Sequence, residues 1–168
     1  IKRLETISAR FSKIGSLPNK KEVKLSAVAD DLVSYMQIRM PKEVALHIHK
    51  NGDEKQVEVN SELIAWVLEN LIKNSIDAIR GKGTITIDMS WESTAIVTVQ
   101  DTGSGMSKKL QKTIFNPGIT TKKRGWGLGL SLAKRIVEQY HGGKLRLAES
   151  SEKGSTFEIQ LPLKQKYS

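Results

Sequence analysis

Two asparagines one helical turn apart carry the first candidate chemistry of this sequence. Asn70 and Asn74 lie in a stretch with helical periodicity, and at about 100° per residue they share one face with Asp77. Their amide oxygens are hard, neutral ligands of the kind that Mg²⁺ prefers, and Glu69 is placed to accept a proton from a nucleophile. In the alternative interpretation, Glu69 pairs with Lys73 at i+4 and the asparagines face solvent.

The second candidate is the motif Asp101-Thr-Gly103-Ser-Gly105, which follows a β-rich run. A carboxylate that ends a strand and precedes glycines can lie at the bottom of a pocket, with backbone wrapped closely around it. Such an acceptor pairs with the exocyclic amine of adenine, whereas guanine presents a carbonyl oxygen at that position. An ordinary Asp-x-Gly turn is the alternative.

The third candidate, Gly-Trp-Gly-Leu-Gly-Leu at 125–130, opens a predicted helix. Glycines let backbone amides approach phosphates, and a helix N-terminus adds a partial positive charge. The preceding segment can act as a lid with Phe115 as its anchor and Lys122 near the phosphates, or it is a plain surface loop. At the start of the last strand, Thr156 can offer a hydroxyl to a base, directly or through water, or simply be a strand residue.

Hydrophobic periodicity predicts the elements that must position these residues. Helices are predicted at 1–14, from Ser26 as the cap to just before Pro41, from 60–61 to 79–80, near 108–114, and at 127–140. Strands are predicted at 44–49, 56–59, 84–91, 94–100, 144–148 and 155–163, with Asn51-Gly52 joining the first two as a hairpin. The order predicts an α+β fold: a two-layer α/β sandwich with a mixed, mostly antiparallel sheet of about five strands and about three helices on one face.

Composition narrows the class of protein. The 168 residues carry 27 Lys and Arg against 18 Asp and Glu, a formal charge of +9, which favours a polyanionic partner. The basic residues are dispersed, however, and 5% aromatic content leaves few stacking platforms for nucleic acid. No cysteine is present, which excludes disulfides and thiolate metal sites. Because the chain starts Ile-Lys-Arg-Leu without a leader, we expect a soluble, cytoplasmic fragment of a longer parent that could be membrane-anchored.

In this order, the motifs resemble the ATP-binding catalytic domain of two-component sensor histidine kinases. That domain belongs to a superfamily shared with DNA gyrase, mismatch-repair ATPases and a heat-shock chaperone. The likeness covers about residues 20 to 163. The matching segments are 69–74 for the N box, 101–105 for the first glycine box, 114–115 for the phenylalanine box, 125–129 for the second glycine box and 154–157 for the closing segment.

The resemblance implies a role for each matching residue. Asn70 would coordinate Mg²⁺, Lys73 and Asn74 would contact the phosphates of ATP, and Glu69, Asn70 and Lys73 would form the catalytic set. Asp101 would bind the adenine amine, and Gly105 would begin a flexible ATP lid. The remaining residues expected around the nucleotide are Asp77, Gly103, Phe115, Lys122, Gly125, Gly127, Leu128, Gly129, Leu130 and Thr156.

The resemblance also divides the chain. Residues 1–17 would be the end of a dimerisation and phosphoacceptor hairpin plus a linker, and 18–168 the ATP-binding domain. Periodicity alone fits equally well a first helix that packs on its own domain. None of His47, His49 and His141 has the acidic-then-Pro context of a phosphoacceptor, so we expect no autophosphorylation. His47 and His49 share a strand face, where a structural role is favoured over a metal site.

The expected reaction is transfer of the γ-phosphoryl group of Mg-ATP to a histidine on the hairpin of the parent kinase. The implied partners are that hairpin and a downstream response regulator, with a monomeric fragment, a homodimeric parent and no nucleic acid. Two alternatives stand beside it: an ATP hydrolase of the same superfamily, and a non-catalytic nucleotide sensor or nucleic-acid-binding module.

Overall fold

The computed structural model describes residues 19–119 and 129–163, so the predicted first helix lies outside the described residues. The strands are β1 Lys21–Val23, β2 Val44–Asn51, β3 Val57–Val59, β4 Gly83–Trp91, β5 Thr94–Asp101, β6 Lys144–Ser151 and β7 Gly154–Pro162. The helices are α1 Leu25–Arg39, α2 Ser61–Ala78, α3 Lys108–Gln111 and α4 Gly129–Arg135, and α4 continues as a π-helical turn, Ile136–Tyr140. In these ranges no helix is both long and apolar enough to cross a bilayer.

Five strands form the main sheet in the order β2-β4-β5-β7-β6. The β2–β4 pair is parallel, whereas the other three pairs are antiparallel. Alternate residues of the strands are buried on one face, which packs against the helices; the central ones are Ile85, Ile87, Val97, Val99, Phe157 and Ile159. The predicted α+β fold, with a mixed and mostly antiparallel sheet of about five strands, is confirmed.

Helix α2 forms where the periodicity predicts it. Its apolar positions Ile64, Leu68 and Leu71 are at most 1% exposed, because they face the sheet. Asn60 caps the helix: its Oδ1 accepts a hydrogen bond from Leu63 N at 3.0 Å. The polar face of α2 is therefore held in a fixed orientation along the sheet.

The predicted hairpin at Asn51-Gly52 is wrong. Gly52 does turn the chain with a φ of +83°, but β3 pairs with β1, a short strand that the sequence did not predict, and β2 pairs with β4. The parallel pairing buries Leu46 of β2 against the helices. Burial of that apolar face therefore decides the partner of β2, and the local turn signal does not.

Ser26 is not the cap of α1, which begins one residue earlier, after Lys24. Its backbone N–H donates to Glu54 Oε2 at 3.0 Å, and its hydroxyl donates to Glu54 Oε1. A carboxylate distant in sequence thus satisfies the first turn of the helix, where negative charge is favourable.

His141 joins the end of the π-helical turn to the start of α2. The ring is 5% exposed, and its Nδ1 lies 2.8 Å from Ile136 O, whereas Nε2 accepts from Asn60 N at 3.1 Å. This pattern requires a neutral ring, since a protonated Nε2 would face a donor. Burial lowers the pKa of His141, the bond to Ile136 opposes that effect, and the positive charge of Lys20 adds to it.

This histidine makes stability depend on pH. Its pKa in the folded chain lies below the ordinary value of 6.5, so the unfolded chain binds the proton more readily. We expect the free energy of unfolding to be highest above about pH 6.5 and to fall towards lower pH by at most about 1.4 kcal/mol per pH unit. Urea denaturation between pH 7.5 and about 5 measures the slope. His141→Gln should flatten it, and the exposed-site control His47→Gln should not; equal slopes in all three proteins would contradict the assignment.

Candidate nucleotide site

Asp101, the last residue of β5, is buried, and its two carboxylate oxygens differ in their hydrogen-bond partners. The residue is 3% exposed, and Oδ1 accepts from Gly103 N at 2.8 Å and from Ser155 N at 3.3 Å. Among the described residues, no group donates to Oδ2. The main chain therefore orients this carboxylate through Oδ1 and leaves Oδ2 available to a ligand.

The glycines after Asp101 are required by close packing on two sides. A Cβ at Gly103 would lie 2.7 Å from Ala78 O at the end of α2, and Ser104 N donates to the same oxygen at 3.0 Å. Gly105 has a φ of +72°, and a Cβ there would lie 1.8 Å from Ser151 O. The loop therefore passes closely between α2 and the β6–β7 turn, which an ordinary surface turn would not do.

The polar residues of α2 are buried to different degrees. Glu69 is 6% exposed, and its Oε1 lies 3.3 Å from Lys73 Nζ, so the ion pair of the alternative interpretation is present. The same interpretation places the asparagines in solvent, yet the Nδ2 atom of Asn70 is buried and has no hydrogen-bond partner among the described residues. Asn74 is half-buried and Asp77 is exposed. Asn70 is thus half-buried, and its amide nitrogen is a buried donor that finds no acceptor in the part of the chain that the structure describes.

Asn70 and Gly129 are in contact across α2 and α4. A Cβ at position 129 would lie 2.8 Å from both Nδ2 and Oδ1 of Asn70, so a larger residue there would force this amide to shift. Leu130, the next residue, is half-buried and packs on the core. The structure therefore brings the end of the second glycine motif to the N box. Lys122, Gly125, Gly127 and Leu128 lie outside the described residues.

The residues around Asn70 fit a cation held mainly by its substrate. Within the described ranges no three His, Asp or Glu side chains gather as a metal site. Mg²⁺ usually takes one or two protein oxygens and completes its shell with waters and phosphate oxygens. The amide oxygen of the half-buried Asn70 would suit that arrangement as a single protein ligand.

The segment 106–119, here called the lid segment, is attached to the core through Phe115. Its ring meets the ring of Phe157 edge to face, with 6.2 Å between centroids and 87° between planes. Lys134 Nζ lies 4.6 Å from the Phe115 centroid, within range of a cation–π interaction. The preceding residue, Ile114, is 4% exposed. These contacts hold the lid segment against β7 and α4.

The structure brings Ser155 to Asp101, and Thr156 lies elsewhere. Thr156 pairs with Gln100 in the register of β5 and β7, so its side chain lies on the face of the sheet opposite to Asp101. Ser155 is 4% exposed and its backbone N–H donates to Asp101. The period of two could have identified it: stepping back two residues from the core residue Phe157 reaches Ser155.

Comparison with known proteins places this geometry in a family. Residues 59–165 match the family described as histidine kinase-, DNA gyrase B-, and HSP90-like ATPase. The chain is 32% identical to the sensor histidine kinase ZraS of Salmonella typhi, over 96% of this chain and 36% of that protein. It therefore spans about a third of that relative's length. It spans 26% of the ZraS of Salmonella typhimurium and 25% of sporulation kinase C of Bacillus subtilis.

Solved structures give the same result. The catalytic domain of histidine kinase ThkA superposes with a TM-score of 0.79 at 29% identity, over 87% of this chain and 97% of that one. ThkA in complex with the response regulator protein TrrA gives a TM-score of 0.80 at 28% identity, over 97% and 48% respectively. The chain belongs to the histidine kinase-, DNA gyrase B- and HSP90-like ATPase family, and within it to the ATP-binding catalytic domains of histidine kinases.

Proposed function

We propose that this domain binds Mg-ATP and donates the γ-phosphoryl group to a histidine on the dimerisation region of its parent kinase. The observation that carries the proposal is the Asp101 carboxylate, buried and oriented by two main-chain N–H groups, with Oδ2 left without a donor from the described residues. The exocyclic amine of adenine supplies such a donor, and the carbonyl of guanine would be repelled.

The phosphates would lie beyond the base, along the polar face of α2. Asn70 would hold the metal ion through its amide oxygen, Asn74 would donate to phosphate oxygens, and Lys73 would add a positive charge. The metal ion, when bound, neutralises negative charge on the transferring phosphoryl group. Lys73 is well exposed, and its ion pair with buried Glu69 keeps the ammonium on this face of the helix.

The transfer itself needs positioning more than covalent chemistry. A neutral imidazole nitrogen of the incoming histidine bonds to the γ-phosphorus as the bond between that phosphorus and the bridging oxygen breaks, and ADP leaves. The imidazole then loses its remaining proton, for which Glu69 is the candidate acceptor. Glu69 is buried and its Oε1 lies 3.3 Å from Lys73 Nζ, and this restraint on the carboxylate supports the role.

The same proposal covers the division of the chain, its oligomeric state, its location and its partners. Residues 1–17 would form the end of the dimerisation hairpin and a linker, and 18–168 the catalytic domain. The parent would be a homodimer, the fragment a cytoplasmic monomer, and a response regulator would receive the phosphoryl group in signal transduction. The structure of ThkA with the regulator TrrA supports this by analogy.

A phosphotransfer assay tests the proposal. The chain is mixed with γ-labelled ATP and Mg²⁺, with and without the histidine-bearing hairpin of the parent. We expect acid-labile, base-stable label on the hairpin, and no label on this chain alone. Rapid multiple-turnover hydrolysis without transfer would instead indicate an ATP hydrolase, and salt-sensitive nucleic-acid binding without nucleotide affinity would indicate the binding-module alternative.

Asn70→Asp should strongly reduce transfer in this assay. A carboxylate at this position places a negative charge beside the phosphates and changes the charge of the metal site, so we expect the rate to fall by about 100-fold or more. Asn51→Asp makes the same chemical change at an exposed position of β2 and should transfer at the wild-type rate. Full activity in Asn70→Asp would contradict the assignment of Asn70 as a ligand of the metal ion.

A further inference from the structure

Hydrogen bonds joined through the backbone and hydroxyl of Ser155 connect Asp101 with the first residue of the lid segment. Ser155 N donates to Asp101 Oδ1 at 3.3 Å, and Ser155 Oγ lies 2.8 Å from Ser150 Oγ. Ser150 Oγ in turn accepts from Met106 N at 2.9 Å. Two serines on opposite sides of the β6–β7 turn therefore connect the candidate adenine carboxylate with the backbone of the lid segment.

The start of the lid segment makes further contacts with the same end of β6. Gln111 Nε2 donates to Met106 O at 2.9 Å and lies 3.5 Å from Ser150 O. Gly105, just before the segment, passes so close to Ser151 O that a Cβ would meet it at 1.8 Å. Ser150 thus lies where the lid segment, β6 and the pocket meet.

Ser150 can act as an acceptor and as a donor at the same time. A hydroxyl has one proton and two acceptor positions, so Ser150 can accept from Met106 N and donate to Ser155 Oγ at the same time. The proton of Ser155 is then available for a group in the pocket. Connected hydrogen bonds of this kind strengthen one another. A ligand acceptor that engages Ser155 would therefore tighten the bond between Ser150 and Met106.

We propose that Ser150 is a positioning residue that couples occupation of the adenine pocket to the order of the lid segment around Met106 and Gln111. The inference rests on the proposed function for the identity of the base. A base that bonds Asp101 Oδ2 and the hydroxyl of Ser155 holds both groups, and Ser150 passes this restraint to the backbone of Met106. Phosphates are not needed for this coupling.

Hydrogen exchange with adenosine as the ligand tests the coupling, because adenosine has the base and no phosphate. Saturating adenosine should slow exchange of the amides of Met106 and its neighbours in the wild-type chain. Ser150→Ala should still bind adenosine but lose this protection, and Met106 should exchange about 2- to 13-fold faster without ligand. Ser150→Thr keeps the hydroxyl on a strand residue and should restore both.

The matched control is Ser151→Ala, which removes a neighbouring hydroxyl bonded to Lys153 N and leaves Ser150 in place. It should behave as the wild type. Adenosine protection that persists in Ser150→Ala, or that is lost equally in Ser151→Ala, would overturn the coupling. Failure of the wild-type chain to bind adenosine or ATP in a calorimetric titration would instead count against the proposed function. The exchange rate of Met106 without ligand would still test the hydrogen bond to Ser150.

Discussion

Asp101→Asn should weaken ATP binding by roughly 10- to 150-fold, the equivalent of about 1.5–3 kcal/mol. The variant can keep its fold, because the amide oxygen can still accept from the backbone N–H groups of Gly103 and Ser155. Its NH₂ group then takes the place of Oδ2 and presents a donor to the donor amine of adenine. Calorimetric titration of ATP, ADP and GTP, with and without Mg²⁺, measures the change.

Two controls separate a lost base contact from general damage. Asp88→Asn makes the same change on β4, on the polar face of the sheet, and should bind ATP as the wild type does. Purine riboside triphosphate lacks the 6-amine, so Asp101→Asn should bind it nearly as well as the wild type does. If the variant bound ATP with unchanged affinity, Asp101 would not read the base.

Gly154→Ala should lower the free energy of unfolding by about 3 kcal/mol or more. Gly154 has a φ of +132°, and a Cβ there would lie 1.9 Å from Asp101 O and 3.1 Å from Thr102 Cα. Both atoms belong to the backbone of the pocket, so the clash cannot be relieved by moving a side chain. Urea denaturation followed by circular dichroism measures the loss, and a chain that fails to fold lies in the expected direction.

Gly52→Ala is the matched control for this prediction. Gly52 also has a positive φ, +83°, but nothing lies within 4 Å of its added Cβ. We expect only the conformational cost of about 1–2 kcal/mol. A loss in Gly154→Ala no larger than in Gly52→Ala would show that backbone conformation alone requires the glycine and that the close approach to Asp101 does not matter.

Most of the fold could be predicted because its signals are local. Helix α2 has a cap, a long apolar period and a clear end, and the β4–β5 and β6–β7 pairs alternate on either side of short turns. The partner of β2 could not be predicted in this way. The pairing of β2 with β4 depends on which face of β2 is buried. The Asn51-Gly52 turn predicts a hairpin between β2 and β3, and that hairpin does not form.

The candidate site was predictable in its residue types and less so in its geometry. Asp101 and Asn70 carry local motifs, and the structure buries Asp101 and half-buries Asn70. The choice between Ser155 and Thr156 depends on which face of β7 each residue occupies, and Ser150 has no motif of its own. Such residues are recognisable only when strands separated in sequence are placed side by side.

The contact between Asn70 and Gly129 has a consequence for how sequences of this kind diverge. The two residues belong to motifs far apart in the chain, yet a side chain at position 129 would occupy the space of the Asn70 amide. Any larger residue in place of the glycine would therefore push the Asn70 amide out of its present position beside the first turn of α4. Because the effects of substitutions at residues in contact are not additive, the effect of a change at position 129 should depend on the residue at position 70, and the two motifs constrain each other's divergence.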